Sequence, residues 1–172
     1  MELLPVVNEK NEVVGVEERE TVHRKGMYHR SVFVIVVSGD GRILLQRRSE
    51  KKRICPLKWD ISMAEHVRVG ESYLEAAVRG LKEELGISVK EEELKRLRKA
   101  HLEVDEFEEL GIKDCEFVEV YYLRYCGRVK INKEEVCKVG FFSKEEVEKM
   151  YREGMLTPWF MRHWKYLRRI LQ

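Results

Sequence analysis

The hydrophobic pattern changes period several times along the chain, and each change marks an element. Val6-Val7 and Val13 to Val16 flank the polar run Asn8-Glu9-Lys10-Asn11, which predicts an N-terminal hairpin. Glu17 to Lys25 is polar and stops at Gly26, as a short helix or turn does. Ser31 to Ser38 (SVFVIVVS) is β-branched and continuously apolar, so it predicts a buried strand. Gly39-Asp40-Gly41 turns the chain into a return strand from Ile43 to Arg48. A basic loop, Ser49 to Arg53, leads to a further strand over Lys58 to Ala64. The period then becomes helical: Leu74, Ala77, Val78, Leu81 and Leu85 form one stripe. Ser72 and Glu75 make a capping box at its start and Gly86 is a C-cap. Leu97 to Val104 and Phe117 to Tyr125 predict strands, and a second capping box at Ser143 opens a helix to about Tyr151. The last helix, 158–171, has Thr157 as cap and Pro158 at its first position. Its Trp159, Phe160, Trp164, Tyr166 and Leu167 are expected in the core. No repeat, low-complexity stretch or Gly/Ser linker interrupts the sequence, so 1–172 is expected to be one domain.

The helix that ends at Gly86 carries the chemistry. Glu83 and Glu84 are adjacent on its last turn, away from the centre of the apolar stripe. They repel each other, and the helix dipole disfavours negative charge at that end. A divalent cation removes both objections. Arg79 lies one turn earlier and can hold a carboxylate in one rotamer.

Composition narrows the function. Of 172 residues, 44% are hydrophobic and 37% charged, a globular balance with enough chain for a real core. The formal net charge is only +2, which gives no support for binding a nucleic-acid polymer. The first residues do not make a signal peptide, and no apolar run approaches the roughly 20 residues that span a bilayer. A cytoplasmic protein without a membrane partner is expected. Cys55, Cys115, Cys126 and Cys137 are scattered without a Cys-x-x-Cys pair, so reduced, packed thiols are expected.

The run from Glu65 to Ile87 resembles the Nudix box: glycine, five residues, glutamate, seven residues, Arg-Glu, an aliphatic, one residue, Glu-Glu, one residue, Gly and an aliphatic. Glu71, Arg79, Leu81, Glu83, Glu84, Gly86 and Ile87 fall on that pattern. The resemblance implies an α/β (α+β) fold, an α/β/α sandwich around a mixed sheet. It also implies hydrolysis of a diphosphate bond in a substrate linked to another moiety, with Mg²⁺ or Mn²⁺. Two positions depart from it. Glu65 replaces the first glycine, and Gly80 replaces the glutamate after the arginine. Positions 80 and 84 are one turn apart, so a facing carboxylate is missing there. Glu65 is expected to supply a carboxylate from outside the helix; pairing with Arg68 is the alternative.

Residues 47–66 narrow the likeness. Arg47, Arg48, Lys52, Pro56, Trp59, Ser62 and His66 match type I isopentenyl diphosphate isomerase, which shares the Nudix scaffold. That resemblance implies diphosphate contacts for Arg48 and Lys52, with Arg47 beside them, and a metal-ligand role for His66. The position matching Glu84 binds Mg²⁺ there. His23 and His29 resemble two further ligands, spaced one residue closer. Glu119 resembles the isomerase's strand glutamate. By alternation it shares a face with Phe117, Tyr121 and Leu123, where a carboxylate needs a partner or a metal; Glu116, on the other face, is the second choice. Ala64 stands where the isomerase has its proton-transferring cysteine, and a methyl group moves no proton. The expected activity is therefore hydrolysis of a small diphosphate metabolite, for example a nucleoside-diphosphate-linked one. Isomerase activity and an inactive binding module are the alternatives. A monomer and a homodimer both fit, since the aromatic last helix can cover the core or form an interface.

Overall fold

The structure, a computed structural model, describes residues 1–171. Strands β1 (Leu3–Val7) and β2 (Val13–Glu18) pair antiparallel as the expected hairpin. Helix α1 (Arg19–Lys25) stops where Gly26 takes a left-handed conformation. Seven strands make the main sheet: β3 (Tyr28–Val37), β4 (Ile43–Arg48), β5 (Trp59–Asp60), β6 (Met63–His66), β7 (Lys95–Phe107), β8 (Ile112–Arg124) and β9 (Val136–Phe142). Their order is β5-β4-β3-β8-β7, with β6 on β3 and β9 on β4. β3 runs parallel to β8 and the other pairs are antiparallel, so the sheet is mixed.

The apolar run of β3 is continuous because both of its faces are covered. Val32, Val34 and Val36 pack with Ala77, Leu81 and Leu85 of α2 (Tyr73–Leu85). Phe33, Ile35 and Val37 pack with Met150 of α3 (Lys144–Arg152) and with Phe160, Trp164 and Leu167 of α4 (Pro158–Ile170). The result is the sandwich that the sequence resemblance implies. All three predicted capping residues, Ser72, Ser143 and Thr157, accept the expected backbone N–H.

Three differences from the sequence reading matter for the site. β3 and β4 pair only at Val37 and Ile43, rather than along a full hairpin. The single strand expected over Lys58 to Ala64 is two: β5 pairs with β4 and β6 pairs with β3. The break has a cause at Ser62. Its hydroxyl accepts the Val36 N–H at 2.8 Å and donates to the Leu44 carbonyl at 2.5 Å, stitching two strands that have parted. A cleft opens where β4 and β6 diverge. The third difference is rotation of the buried face of α2. Ala76, Gly80 and Glu84 are buried with Ala77, Leu81 and Leu85, whereas Leu74 and Val78 are only half-buried. Glu84 therefore lies inside the helix's packed face, not off it.

Strand β9 went unread because few of its side chains are buried, which leaves no alternation to detect. Cys115 is a packed thiol as expected and Cys55 is half-buried, but Cys126 and Cys137 are exposed. Phe160, Trp164 and Leu167 are core residues, whereas Trp159 and Tyr166 are only partly buried.

Gly80 has a packing reason. A Cβ there would lie 2.6 Å from Met63 Sδ and 3.2 Å from Glu65 Cβ. Gly80→Ala is expected to lower stability by about 1–3 kcal/mol through overpacking, more than offsetting the gain in helix propensity. Urea unfolding checks this; an unchanged or higher midpoint would show that β6 can yield.

Candidate active site

A cavity of about 770 Å³ occupies the cleft between β4, β6 and α2. Arg79 organises its helix side. Its Nε and Nη2 reach the two oxygens of Glu71 at 2.6 and 3.0 Å, a bidentate pair. Nη1 lies 3.3 Å from Glu65 Oε2 and 3.3 Å from Glu83 Oε2, and Nη2 donates to the His66 carbonyl at 2.9 Å. Burial opposes the charge of Arg79, but Glu71, Glu65 and Glu83 outweigh it and raise its pKa further. Glu65 thus pairs with Arg79; Arg68 pairs instead with Glu83, at 3.6 Å.

Glu84 differs from its neighbour. Glu83 is half-exposed, whereas Glu84 is 8% exposed and its Oε2 is buried without a hydrogen-bond partner. Burial, then the charges of Glu65 and Glu135, pushes the Glu84 carboxyl well above its usual range. Lys52, 2.9 Å from Glu135, is the cation that works against this.

A second group lies at the other end of the cavity. His23 from α1, His29 from β3 and His66 from β6 have ring centroids 5.2–5.5 Å apart. His29 Nε2 is 3.2 Å from Asp114 Oδ1 and 3.6 Å from Glu116 Oε1. His23 Nε2 is 3.5 Å from Asp114 Oδ1, and His66 Nε2 is 3.5 Å from Glu116 Oε1. Three buried atoms here have no hydrogen-bond partner: His23 Nε2, His29 Nε2 and Asp114 Oδ1. The backbone fixes the tautomer of His29, because its Nδ1 lies 3.0 Å from the Met27 carbonyl and must carry the hydrogen. Nε2 is left facing the carboxylates. Burial disfavours the His29 cation, but the Asp114 and Glu116 carboxylates beside it outweigh burial and push the pKa up to about 10. Burial, with His66 and His29 as cationic neighbours, drives His23 down to about 3. Alternation brings Asp114 and Glu116 here from one face of β8, and parallel pairing sets Glu116 opposite His29.

The basic side is built on β4 and the loop after it. Arg48 lines the cavity, with its guanidinium 5.1 Å over the Trp159 ring and 3.6 Å from Asp60. Asp60 is buried. It accepts from Trp159 Nε1 at 2.9 and 3.0 Å, from the Thr157 hydroxyl at 3.2 Å and from the Ile61 N–H at 2.7 Å. This carboxylate ties the start of α4 to β5.

Two expected site residues fall elsewhere. Glu119 is on the opposite face of β8 and does not line the cavity. The Tyr121 hydroxyl donates to it at 2.5 Å and Arg96 lies 3.6 Å away, so its partner is a phenol and a surface cation. The expectation of a metal-facing carboxylate on β8 passes to Glu116, with Asp114. Arg47 also points away: it donates to the Leu57 carbonyl at 3.0 Å, because alternation along β4 turns Gln46 and Arg48 into the cavity.

The NUDIX domain family matches residues 27–169. The chain belongs to the Nudix family. A Nudix hydrolase of Streptomyces coelicolor is 32% identical over 157 residues, covering 91% of this chain and 83% of that protein. A Nudix hydrolase of Clostridium acetobutylicum is 29% identical over 167 residues, covering 91% and 81%. Among solved structures, a Deinococcus radiodurans protein superposes with a TM-score of 0.74 at 25% identity, covering 99% of this chain and 100% of that one. The hydrolase class expected from the sequence agrees with these relatives. Nudix enzymes generally use divalent metals.

Within the Nudix framework, the sequence located Arg48, Lys52, Glu65, His66, Arg79, Glu83 and Glu84, all of which the structure brings to this cavity or its rim. It missed Asp60, Asp114, Glu135 and Trp159. Asp114 and Glu116 carried a readable signal, two acids at strand spacing followed by buried residues. Glu135 carried none, since its approach to Lys52 depends on an irregular loop.

Proposed function

We propose that this Nudix protein is a divalent-metal-dependent hydrolase of a small, diphosphate-containing metabolite. One observation carries the reading. Glu84, on the motif helix, is buried with an unpartnered oxygen and faces other carboxylates in a cavity that also holds Arg48 and Lys52. An isolated buried carboxylate is costly, and a hard cation is the partner that suits an all-oxygen set. Glu65, Glu83 and Glu84 would hold Mg²⁺ or Mn²⁺, which neutralises the diphosphate and acidifies a bound water. Arg79 orients Glu65 and Glu83, and Glu71 locks Arg79 in turn. Arg48 and Lys52 bind phosphate oxygens, and Trp159, already under Arg48, walls the space for the attached group.

The exchange at positions 65 and 80 fits this reading. Gly80 removes a carboxylate from the helix and clears the space into which Met63 and Glu65 pack. Glu65 returns a carboxylate from β6. Glu65→Gln is expected to weaken Mn²⁺ binding by more than about 100-fold, beyond the range for loss of a group that only supports a ligand. Calorimetric titration checks this, and unchanged affinity removes Glu65 from the site.

The second cluster fits a metal as well. Its unpartnered nitrogens and carboxylate oxygen suit a borderline ion that accepts imidazole and carboxylate. His23, His29, His66, Asp114 and Glu116 would hold it. This cluster favours a second reading, isomerisation of an allylic diphosphate, because the resembling isomerase binds metal through matching histidines. Ala64 weighs against it: the residue lines the cavity, paired with Phe33, and offers no proton.

A panel of nucleotide sugars, dinucleotides, nucleoside triphosphates and isopentenyl diphosphate, assayed with Mg²⁺ and Mn²⁺, tests both. Release of a phosphorylated product is the expected result. Double-bond migration without phosphate release would establish the second reading, and inactivity on every class would overturn both.

A further inference from the structure

A third group of side chains lies outside this machinery, where β7 meets α4. His101, Glu103 and His163 each offer a ligand atom within 4.8 Å of the others. His163 Nε2 is 2.6 Å and His101 Nε2 is 3.2 Å from the same carboxylate oxygen. We propose that His101, Glu103 and His163 form a binding site for a zinc-type divalent ion that pins α4 to β7.

The argument starts from the hydrogens. His101 Nδ1 lies 3.1 Å from the Lys99 carbonyl, which can only accept, so Nδ1 carries the hydrogen in the neutral ring. Nε2 then turns a lone pair toward a carboxylate oxygen. His101 Nε2 is buried and has no hydrogen-bond partner, whereas the same Glu103 oxygen is hydrogen-bonded to His163 Nε2. Two lone pairs facing each other at this distance repel, and a cation shared between them removes the conflict.

The donors suit zinc. Two imidazoles and one carboxylate with a position left for water make a known donor set, and bond lengths of about 2.0–2.2 Å place tetrahedral donors roughly 3.3 Å apart. The His101–Glu103 separation already matches. The His163–Glu103 separation needs to widen by well under ~1 Å.

Every donor is also held from behind. Lys99 fixes His101, and Tyr166 Oη, 2.8 Å from His163 Nδ1, fixes His163. Arg162 Nε holds the other oxygen of Glu103 at 2.5 Å. Such outer partners are what orient metal ligands. The charge balance permits an ion: Arg162 is shared between Glu103, at 2.5 Å, and Asp105, at 2.7 and 3.2 Å, so two carboxylates face one guanidinium. Arg98, the other cation nearby, stacks on Tyr166 beyond the ring. His101 and Arg162 are partly exposed and give an ion a way in.

The test uses the full chain stripped of metal and titrated with Co²⁺, whose visible bands report four-coordinate nitrogen and oxygen ligation. His29→Ala serves as background, so that the cavity's histidine cluster does not contribute. Four-coordinate bands are expected in that background. They should weaken by more than about 100-fold in affinity when His101→Ala is added, exceeding the loss of an outer-shell partner. Zn²⁺ should raise the Tm of His29→Ala but not of the double variant. His101 is partly exposed on an edge strand, so His101→Ala and His101→Gln keep the test open even if His163→Ala fails to fold. Equal Co²⁺ uptake and spectra with and without His101 would overturn the proposal, as would no uptake in the His29→Ala background. Neither outcome bears on the cavity, which Mn²⁺ binding at Glu84 reports separately.

Discussion

Glu84→Gln is expected to lower turnover on the order of 10³-fold, which corresponds to the several kcal/mol that a metal site contributes to stabilising charge in the transition state. The fold should survive, because glutamine occupies the same buried volume and can hydrogen-bond where the carboxylate does not. Stability adds a second signature. Burial raises the Glu84 pKa in the folded chain. A carboxyl raised on folding costs stability at pH above its folded pKa, and that cost disappears as pH falls below the unfolded value. The metal-free variant should therefore melt higher than the metal-free wild type near neutral pH and converge with it in acid. Adding Mg²⁺ or Mn²⁺ should reverse the order, since only the wild type keeps the metal site that Glu84 completes. Circular dichroism melts with and without metal, alongside a turnover assay, check all of this. Near-normal turnover would remove Glu84 from the reaction, and a metal-free variant that melts lower would contradict the burial cost.

His29→Ala should abolish metal binding at the histidine cluster and with it a measurable release of protons. His29 is raised to about 10 in the folded chain by Asp114 and Glu116. Its bound proton contributes stability that is complete below the ordinary histidine value of about 6.5 and fades as pH rises through about 10. A metal must expel that proton to use Nε2, so apparent affinity should climb with pH until His29 has titrated. Calorimetry in buffers of different ionisation enthalpy reads the proton count directly. Heats that depend on buffer less steeply in His29→Ala than in the wild type are expected, the remainder coming from Glu84; equal buffer dependence in both would show that His29 is not a ligand.

Much of this was legible in the sequence because the relevant signals are local. The capping boxes, Gly26 and Gly86 ends, the buried strand at residues 31–38 and the Arg79-to-Ile87 spacing each depend on a few neighbouring residues. What the sequence misplaced depends on pairing between distant segments. Glu119 looked like the functional strand carboxylate because it sits among apolar neighbours. Which face of β8 meets the cavity is decided by its parallel register with β3, and that register selects Glu116. Glu84 looked peripheral to the α2 stripe because the stripe was drawn from apolar residues alone, whereas Gly80 lets β6 settle against that side. The split of the strand at Ser62 was unreadable for the same reason: its hydroxyl answers two backbone groups from strands β3 and β4, not from its own vicinity.

The contact between Gly80 and β6 also constrains how this chain can change. Restoring a glutamate at position 80 alone would drive a side chain into Met63 and Glu65. Restoring a glycine at position 65 alone would leave a void and strip Arg79 of one of its carboxylates. A Cβ at position 80 meets Met63 even more closely than Glu65, so positions 63, 65 and 80 form one packing unit, and the common arrangement of the motif is expected to require all three to change together.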